Sequence, residues 1–340
     1  MIHGHGNEIH QSSHKIKADF SSNVWDNGAS EEIFAALSKN IRDIKNYPEP
    51  DSYSLRNKIA TYFDLMADNI IVTNGSTEAF YLIAQVFAGK KSVIICPSFA
   101  EYADACEMHH HQVDYVNNSS GWHNIRFENR VVWFANPNNP DGKTIAVSDI
   151  ILLLKNNSSS VFILDEVNVE LCYGVETSIP LLSEYSNLII VRSFTKAFSI
   201  PGLRLGYMLS SEKIIAKIKS CIMPWNVNSL AMTAGIYIME HYERLLPDKE
   251  IIRTESAGLQ KEIGKSKKMK VYPSACNFFM VQSLSLPAYD LKEFLLREYG
   301  LLIRDASNFK ELDPSFFRIS VQKPEMNKLL IKGIKYWVRL

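Results

Sequence analysis

Five short apolar runs fall between residues 70 and 191: Ile70-Ile71-Val72, Ser92 to Cys96, Val131 to Ala135, Val161 to Leu164 and Leu188 to Val191. They are too short for buried helices and too continuously apolar for strands with one wet face. They therefore read as strands buried on both sides. Val113 to Val116 reads as a further strand. Between the runs lie helical patterns at Thr77 to Phe87, with Phe80, Ala84 and Phe87 on one face, and at Phe99 to Glu107 and Val147 to Lys155. Strands joined by helical crossovers predict an α/β fold, with a mostly parallel sheet covered by helices on both faces.

The flanks follow other rules. Residues 1–29 are polar and turn-rich and read as an extended arm. Ser30-Glu31-Glu32 opens a helix by supplying a cap and first-turn acids. Asn46-Tyr47-Pro48-Glu49-Pro50 breaks the chain before a second helix at Tyr53 to Leu65. A further apolar run, Leu205 to Leu209, resumes the sheet pattern, and after it the strand–helix rhythm stops. Glu212 to Ile222, Ser229 to Leu246 and Lys249 to Lys265 read as three successive helices. Strands are expected at Met269 to Val271, Phe278 to Val281 and Phe317 to Val321, with helices at Leu291 to Tyr299 and Glu325 to Val338. The expected organisation is an arm (1–29) packing with the small domain and the active site, a large domain (30–235) and a small α+β domain (236–340). A chain of 340 residues has room for that.

Acidic and basic residues balance at 37 each, so no gross field draws the chain to nucleic acid or membrane. Five dispersed cysteines without CxxC spacing argue for reduced thiols. With no apolar leader and no run long enough to span a bilayer, a cytoplasmic protein is expected. The run His109-His110-His111 lacks an accompanying carboxylate pattern and reads as a solvated loop, with no metal site expected.

In open parallel sheets ligands bind beyond the carboxyl ends of the strands. Asn74-Gly75-Ser76-Thr77-Glu78 follows the first run and starts a helix. It is either a plain cap or a cradle for an anion such as phosphate. Asn136-Pro137-Asn138-Asn139-Pro140-Asp141-Gly142 is a rigid turn, structural or ligand-binding. Asp165-Glu166 ends another run; a buried carboxylate there needs a partner such as a protonated ring nitrogen, unless it is a cap or metal ligand. Ser193 and Lys196 follow the last run, with Arg204 beyond. An anion cradle, an asparagine, an aspartate and a lysine at four strand ends are the parts needed to hold pyridoxal 5′-phosphate (PLP).

Ser193-x-x-Lys196 with Gly202-x-Arg204-x-Gly206-Tyr207, together with Asn139-Pro140 and Asp165-Glu166, resembles the fold-type I PLP-dependent enzymes of the class I/II aminotransferase superfamily. The resemblance covers about residues 3 to 335. It implies that Lys196 joins the cofactor covalently and moves protons, that Asp165 pairs with the ring nitrogen and that Asn139 binds the phenolic oxygen. It also implies that Ser76, Thr77, Ser193 and Arg204 hold the phosphate beside Gly75, and that Phe99 stacks on the ring, with Tyr102 as second choice. Tyr47 resembles the tyrosine that reaches the phosphate of a neighbouring subunit, which implies a homodimer. Arg318 matches the arginine that receives the substrate carboxylate. Two positions depart from the pattern: Asp141 stands where many relatives have threonine, and Asn168 where they have an aromatic residue.

Within the superfamily the chain looks closest to the histidinol-phosphate aminotransferase branch, and more narrowly to the threonine-phosphate decarboxylases of cobalamin biosynthesis. His3-Gly4-His5-Gly6-Asn7, Asp19-Phe20-Ser21-Ser22-Asn23 and Met223-Pro224-Trp225-Asn226-Val227-Asn228 carry that narrower resemblance. It implies a phosphorylated amino acid or amine as substrate, with His5, Asn23, Arg304 and Arg318 as candidate contacts; for Arg304 the competing reading is a surface ion pair with Asp305. The alternatives are an aminotransferase and, remotely, a PLP-binding ligand sensor; the latter is disfavoured by the lack of a basic stretch for DNA.

Overall fold

The computed structural model describes residues 9, 14–25, 28, 30–119 and 121–339; His5 and the stretch around it lie outside them. In chain order the elements begin with a short strand β1 (Ala18–Asp19), then helices α1 (Glu31–Lys39) and α2 (Tyr53–Phe63). An alternating stretch follows: β2 (Ile70–Thr73), α3 (Gly75–Val86), β3 (Lys91–Cys96), α4 (Glu101–Met108), β4 (Gln112–Asn117), β5 (Val131–Ala135) and α5 (Val147–Asn156). It ends with β6 (Val161–Asp165), β7 (Leu188–Ser193) and β8 (Gly206–Ser210). These strands form one seven-stranded sheet in the order β2-β8-β7-β6-β5-β3-β4. All neighbours pair in parallel except β8, which is antiparallel to both β2 and β7.

The continuous apolar runs are explained by what lies on each side. Val132, Phe134, Phe162, Leu164, Leu188 and Ile190 feed one buried core. Their neighbours Val131, Trp133, Ile163, Ile189 and Val191 feed another on the opposite face. A side-chain period of two with both faces buried favours an apolar residue at successive positions.

Four helices come next: α6 (Glu212–Lys219), α7 (Ser229–Glu240), α8 (Tyr242–Leu245) and α9 (Lys249–Gly264). The single helix expected over Ser229 to Leu246 is interrupted at His241, which leaves helical geometry at the end of α7. The expected division at 235/236 falls inside α7, which runs unbroken and packs against α1 and α2. The C-terminal part holds β9 (Met269–Tyr272), β10 (Phe278–Ser283), α10 (Ala288–Tyr299), β11 (Leu301–Leu302), β12 (Arg304–Asp305), β13 (Phe316–Ser320) and α11 (Pro324–Trp337). Its four-stranded antiparallel sheet has the order β12-β13-β10-β9. Ser30 caps α1 as expected, accepting from the Ile33 N–H.

The described part of the arm is woven into the fold. β1 pairs in parallel with β11. Phe20 is buried, and the Trp25 N–H donates to the Lys196 carbonyl at 3.0 Å. The arm's few apolar side chains, Phe20 and Trp25 among them, are the ones that dock. The histidine run also needs correction. His111 is buried rather than solvated: Nδ1 lies 2.7 Å from Ser92 Oγ and Nε2 2.8 Å from the Ala84 carbonyl oxygen. Burial lowers its pKa, so it is a neutral core histidine.

Candidate active site

A cavity of about 370 Å³ lies where the carboxyl ends of the large sheet meet β12, β13 and residues 21–24 of the arm. The turn after β2 supplies Ser76 and Thr77; the segment after β3 supplies Phe99; those after β5 and β6 supply Asn139, Asp165, Val167 and Asn168; and that after β7 supplies Thr195 and Lys196. Arg204, Arg304 and Arg318 also line it.

The anion end is built from backbone. Gly75 has φ +76°, and a methyl there would collide with the Arg204 guanidinium. Arg204 itself adopts the left-handed φ of +56° at the end of a turn of 3-10 helix, with Nη1 donating to the Pro201 carbonyl at 3.1 Å. A Cβ on Gly206 would lie 2.7 Å from the Ser76 nitrogen, so β8 passes directly under the start of α3. A helix N-terminus, two hydroxyls and a guanidinium thus converge on one spot, which is the donor set a phosphate monoester needs.

At the other end sits Asp165. Its Oδ1 accepts from the Val167 N–H at 2.8 Å, and its Oδ2 accepts a short hydrogen bond from the Tyr102 hydroxyl. Burial raises its pKa to about 6, against the lowering effect of those two donors. Such a carboxylate is poised to pair with a cation that enters the cavity. Lys196 is shifted the other way: burial first, then Arg318 and Arg204, lower its pKa to about 8. A larger share of the neutral, nucleophilic amine is therefore present near neutral pH.

The two sheets meet at Asn139, whose Oδ1 accepts a short hydrogen bond from Arg318 Nη1. Arg318 Nη2 donates to the Ser21 carbonyl at 2.6 Å. β12 and β13 place Arg304 directly opposite Arg318. Both are buried, at 6% and 5% exposure. Burial and the Arg304 charge bring the Arg318 pKa down to about 9, with Asp19 opposing. Two buried guanidiniums beside each other mark a place for anionic groups of a ligand.

Some expected residues are placed differently and others where they were expected. Ser193 does not line the cavity: its hydroxyl lies 2.7 Å from Thr195 Oγ1 and within 3.3 Å of the Leu205 carbonyl oxygen, and Thr195 takes the cavity position. Tyr102 is unavailable for stacking because it is buried against Trp133 and bound to Asp165; Phe99 alone of the pair faces the cavity. Arg304 is not in a surface ion pair with the Asp305 carboxylate; Nη1 donates to the Asp305 carbonyl and Nη2 to Asn308 Oδ1, each at 2.7 Å. Tyr47 is 84% exposed and stands away from this cavity, tilted against Trp225 at 5.2 Å. Asn23 lines the cavity, and its Oδ1 accepts from the Ser320 hydroxyl. Thr195 and Asn308 were missed, having no sequence signal beyond proximity to a motif; Tyr102 was named for stacking and not as the partner of Asp165.

The class I and II aminotransferase family model matches residues 15–334. The chain belongs to this family. A histidinol-phosphate aminotransferase from Pyrococcus furiosus is 32% identical, over 90% of this chain and 86% of that protein. The crystal structure of L-threonine-O-3-phosphate decarboxylase from Porphyromonas gingivalis superposes with a TM-score of 0.92 at 35% identity, covering 94% of this chain and 99% of the other. A histidinol-phosphate aminotransferase from Sinorhizobium meliloti in complex with pyridoxal 5′-phosphate shares the fold, with a TM-score of 0.84 at 20% identity, covering 97% of this chain and 93% of that one. The cofactor of this family member is pyridoxal 5′-phosphate, as in an α/β enzyme of fold type I. The cavity fits it: the phosphate cradle, the aspartate and the lysine are present, and Asn168 adds a buried Oδ1 with no partner among the described residues. No helix among those residues is long and apolar enough to cross a membrane.

Proposed function

We propose that this chain decarboxylates an O-phosphorylated amino acid, L-threonine O-3-phosphate, to the corresponding amino alcohol phosphate and CO2. The observation that carries this reading is the Arg304–Arg318 pair, two buried guanidiniums in register on adjacent strands at the cavity. A substrate with both a carboxylate and a phosphate answers both charges. The likeness to the Porphyromonas gingivalis decarboxylase at 35% identity supports the same assignment.

When bound, pyridoxal 5′-phosphate supplies an electron sink conjugated to the substrate amino group. Gly75, Ser76, Thr77, Thr195 and Arg204 would hold its phosphate, Phe99 would lie against its ring, Asn139 and Asn168 would meet its phenolic oxygen, and Asp165 would pair with its ring nitrogen. Lys196 would carry the cofactor covalently, and its amine would hold and deliver a proton at the substrate Cα. Arg318, fixed by Asn139 and Ser21, would bind and orient the substrate carboxylate. Arg304, Ser22 and Asn23 line the remaining space for the phosphate.

The second reading is a histidinol-phosphate aminotransferase, favoured by the Pyrococcus furiosus relative. Incubation of the holoenzyme with each substrate distinguishes them: CO2 without any oxo acid supports decarboxylation, and oxo-acid-dependent amino transfer supports the alternative. Exposed Tyr47, beside Trp225, supports a homodimer in which this tyrosine reaches the neighbouring phosphate site. Sedimentation at micromolar concentration and the cofactor affinity of Tyr47→Phe test that arrangement.

A further inference from the structure

We propose that Cys172 and Cys276 form a reversible disulfide that staples the segment after β6 to the segment leading into β10. The two cysteines lie far apart in sequence, and nothing in their spacing pairs them. The fold brings them face to face as the opposed residues of an isolated antiparallel bridge. The Tyr173 N–H donates to the Ala275 carbonyl at 3.0 Å on one side, and the Asn277 N–H to the Leu171 carbonyl at 2.9 Å on the other. Cys172 and Cys276 are therefore a non-hydrogen-bonded pair, for which opposed Cα atoms sit at about 4.5 Å. That spacing is within the range of a disulfide, roughly 4.4–6.8 Å. The sulfurs are already 3.1 Å apart. Both side chains are fully buried, in a small cluster with Phe278, Val175 and Ala275.

The position gives the bond a consequence. Cys172 follows Asp165 and Asn168 on the large-sheet side, and both of those line the cavity. Cys276 precedes Asn277, whose Nδ2 donates to the Asn23 carbonyl at 3.1 Å and whose own carbonyl accepts from the Val321 N–H at 2.6 Å. A covalent link between the two therefore joins the halves of the molecule beside the cavity.

With hydrogen peroxide as oxidant the step balances. One thiolate takes an oxygen from the peroxide as the O–O bond breaks and water leaves. The second thiolate attacks the resulting sulfenic sulfur, the S–S bond forms and a second water departs. The pair loses two electrons and two protons. Small oxidants reach the buried pair through local opening at this seam.

The proposal does not rest on which reaction the enzyme performs, and its test reads bonds, not turnover. Holoenzyme carrying Cys221→Ser, to remove the half-exposed thiol, is treated with hydrogen peroxide and digested without reduction. The expected product is a peptide pair cross-linked through residues 172 and 276, with loss of two hydrogens and reversal by dithiothreitol. The oxidised protein should melt roughly 5 °C higher. That rise should be lost on reduction, and should be absent from Cys172→Ser and from Cys276→Ala, two variants at opposite ends of the bond. Recovery of both thiols in reduced form while methionines are oxidised, or a cross-link with no rise in Tm, would overturn the proposal.

Discussion

Arg318 donates to the side-chain oxygen of Asn139, so the residue proposed to hold the substrate carboxylate is tied to the one proposed to hold the cofactor's phenolic oxygen. This bond crosses between the two sheets, and it makes substrate and cofactor sites interdependent.

Arg318→Lys keeps a charge but loses the planar fork that reaches both Asn139 and the Ser21 carbonyl. Losing one charge-assisted bond to substrate costs about 2 kcal/mol, or roughly 30-fold in kcat/KM. Because Asn139 is released at the same time, the absorbance maximum of the bound cofactor should also shift. Steady-state kinetics together with absorbance spectra check both effects, and an unshifted spectrum would detach Asn139 from the cofactor.

The raised pKa of Asp165 sets a pH dependence in the cofactor-free protein. Its folded value of about 6 lies above the ordinary 3.8, so between these values the native state binds more protons than the unfolded state. Stability of the apoprotein therefore falls as pH rises from about 4 to 6, by about 3 kcal/mol. Asp165→Asn should abolish that slope while weakening activity by at least about 100-fold. Urea denaturation of the apoproteins across this pH range is the measurement.

Lys196 behaves with the opposite sign. Its folded pKa of about 8 lies below the ordinary 10.5, so burying the charged form destabilises the apoprotein below about pH 8. That penalty is relieved as pH rises from about 8 to 10.5, where the unfolded state binds more protons. Only the neutral amine attacks an aldehyde, so the rate of cofactor uptake should climb with pH and level off above about 8. Stopped-flow absorbance on mixing apoprotein with PLP checks this; a flat profile would contradict the assignment of Lys196.

How much of this was legible before the fold is clearest residue by residue. Lys196, Asp165 and Asn139 could be placed at the sheet's edge because each follows a continuous apolar run, and a sheet buried on both faces forces polar residues to its strand ends; Arg204 came from the Gly202-x-Arg204-x-Gly206-Tyr207 resemblance. The elements themselves were legible for the same reason. Of the two neighbouring hydroxyls, Thr195 lines the cavity and Ser193 hydrogen-bonds to it, a placement that the backbone turn decides and the spacing does not show. Tyr102 was legible as an aromatic near the site but not as the partner of Asp165, since that contact spans the gap from α4 to β6. The buried Arg192, joined to Glu166 at 2.9 Å and to Glu170 at 2.6 Å, was illegible within an apolar strand pattern, as was the meeting of Cys172 with Cys276.

That buried network predicts a stability effect outside the cavity. Arg192→Met leaves Glu166 and Glu170 without their guanidinium and should cost about 3–5 kcal/mol. Adding Glu170→Gln should recover part of the loss, because one uncompensated charge goes with it. Urea midpoints of the single and double variants decide this.

The central claim is tested most directly by supplying the PLP-loaded protein with L-threonine O-3-phosphate as sole substrate and measuring CO2 together with the amine product. The account predicts one CO2 per substrate consumed, with no oxo acid required and none consumed. Absence of CO2, combined with oxo-acid-dependent transfer of the amino group from histidinol phosphate, would contradict it.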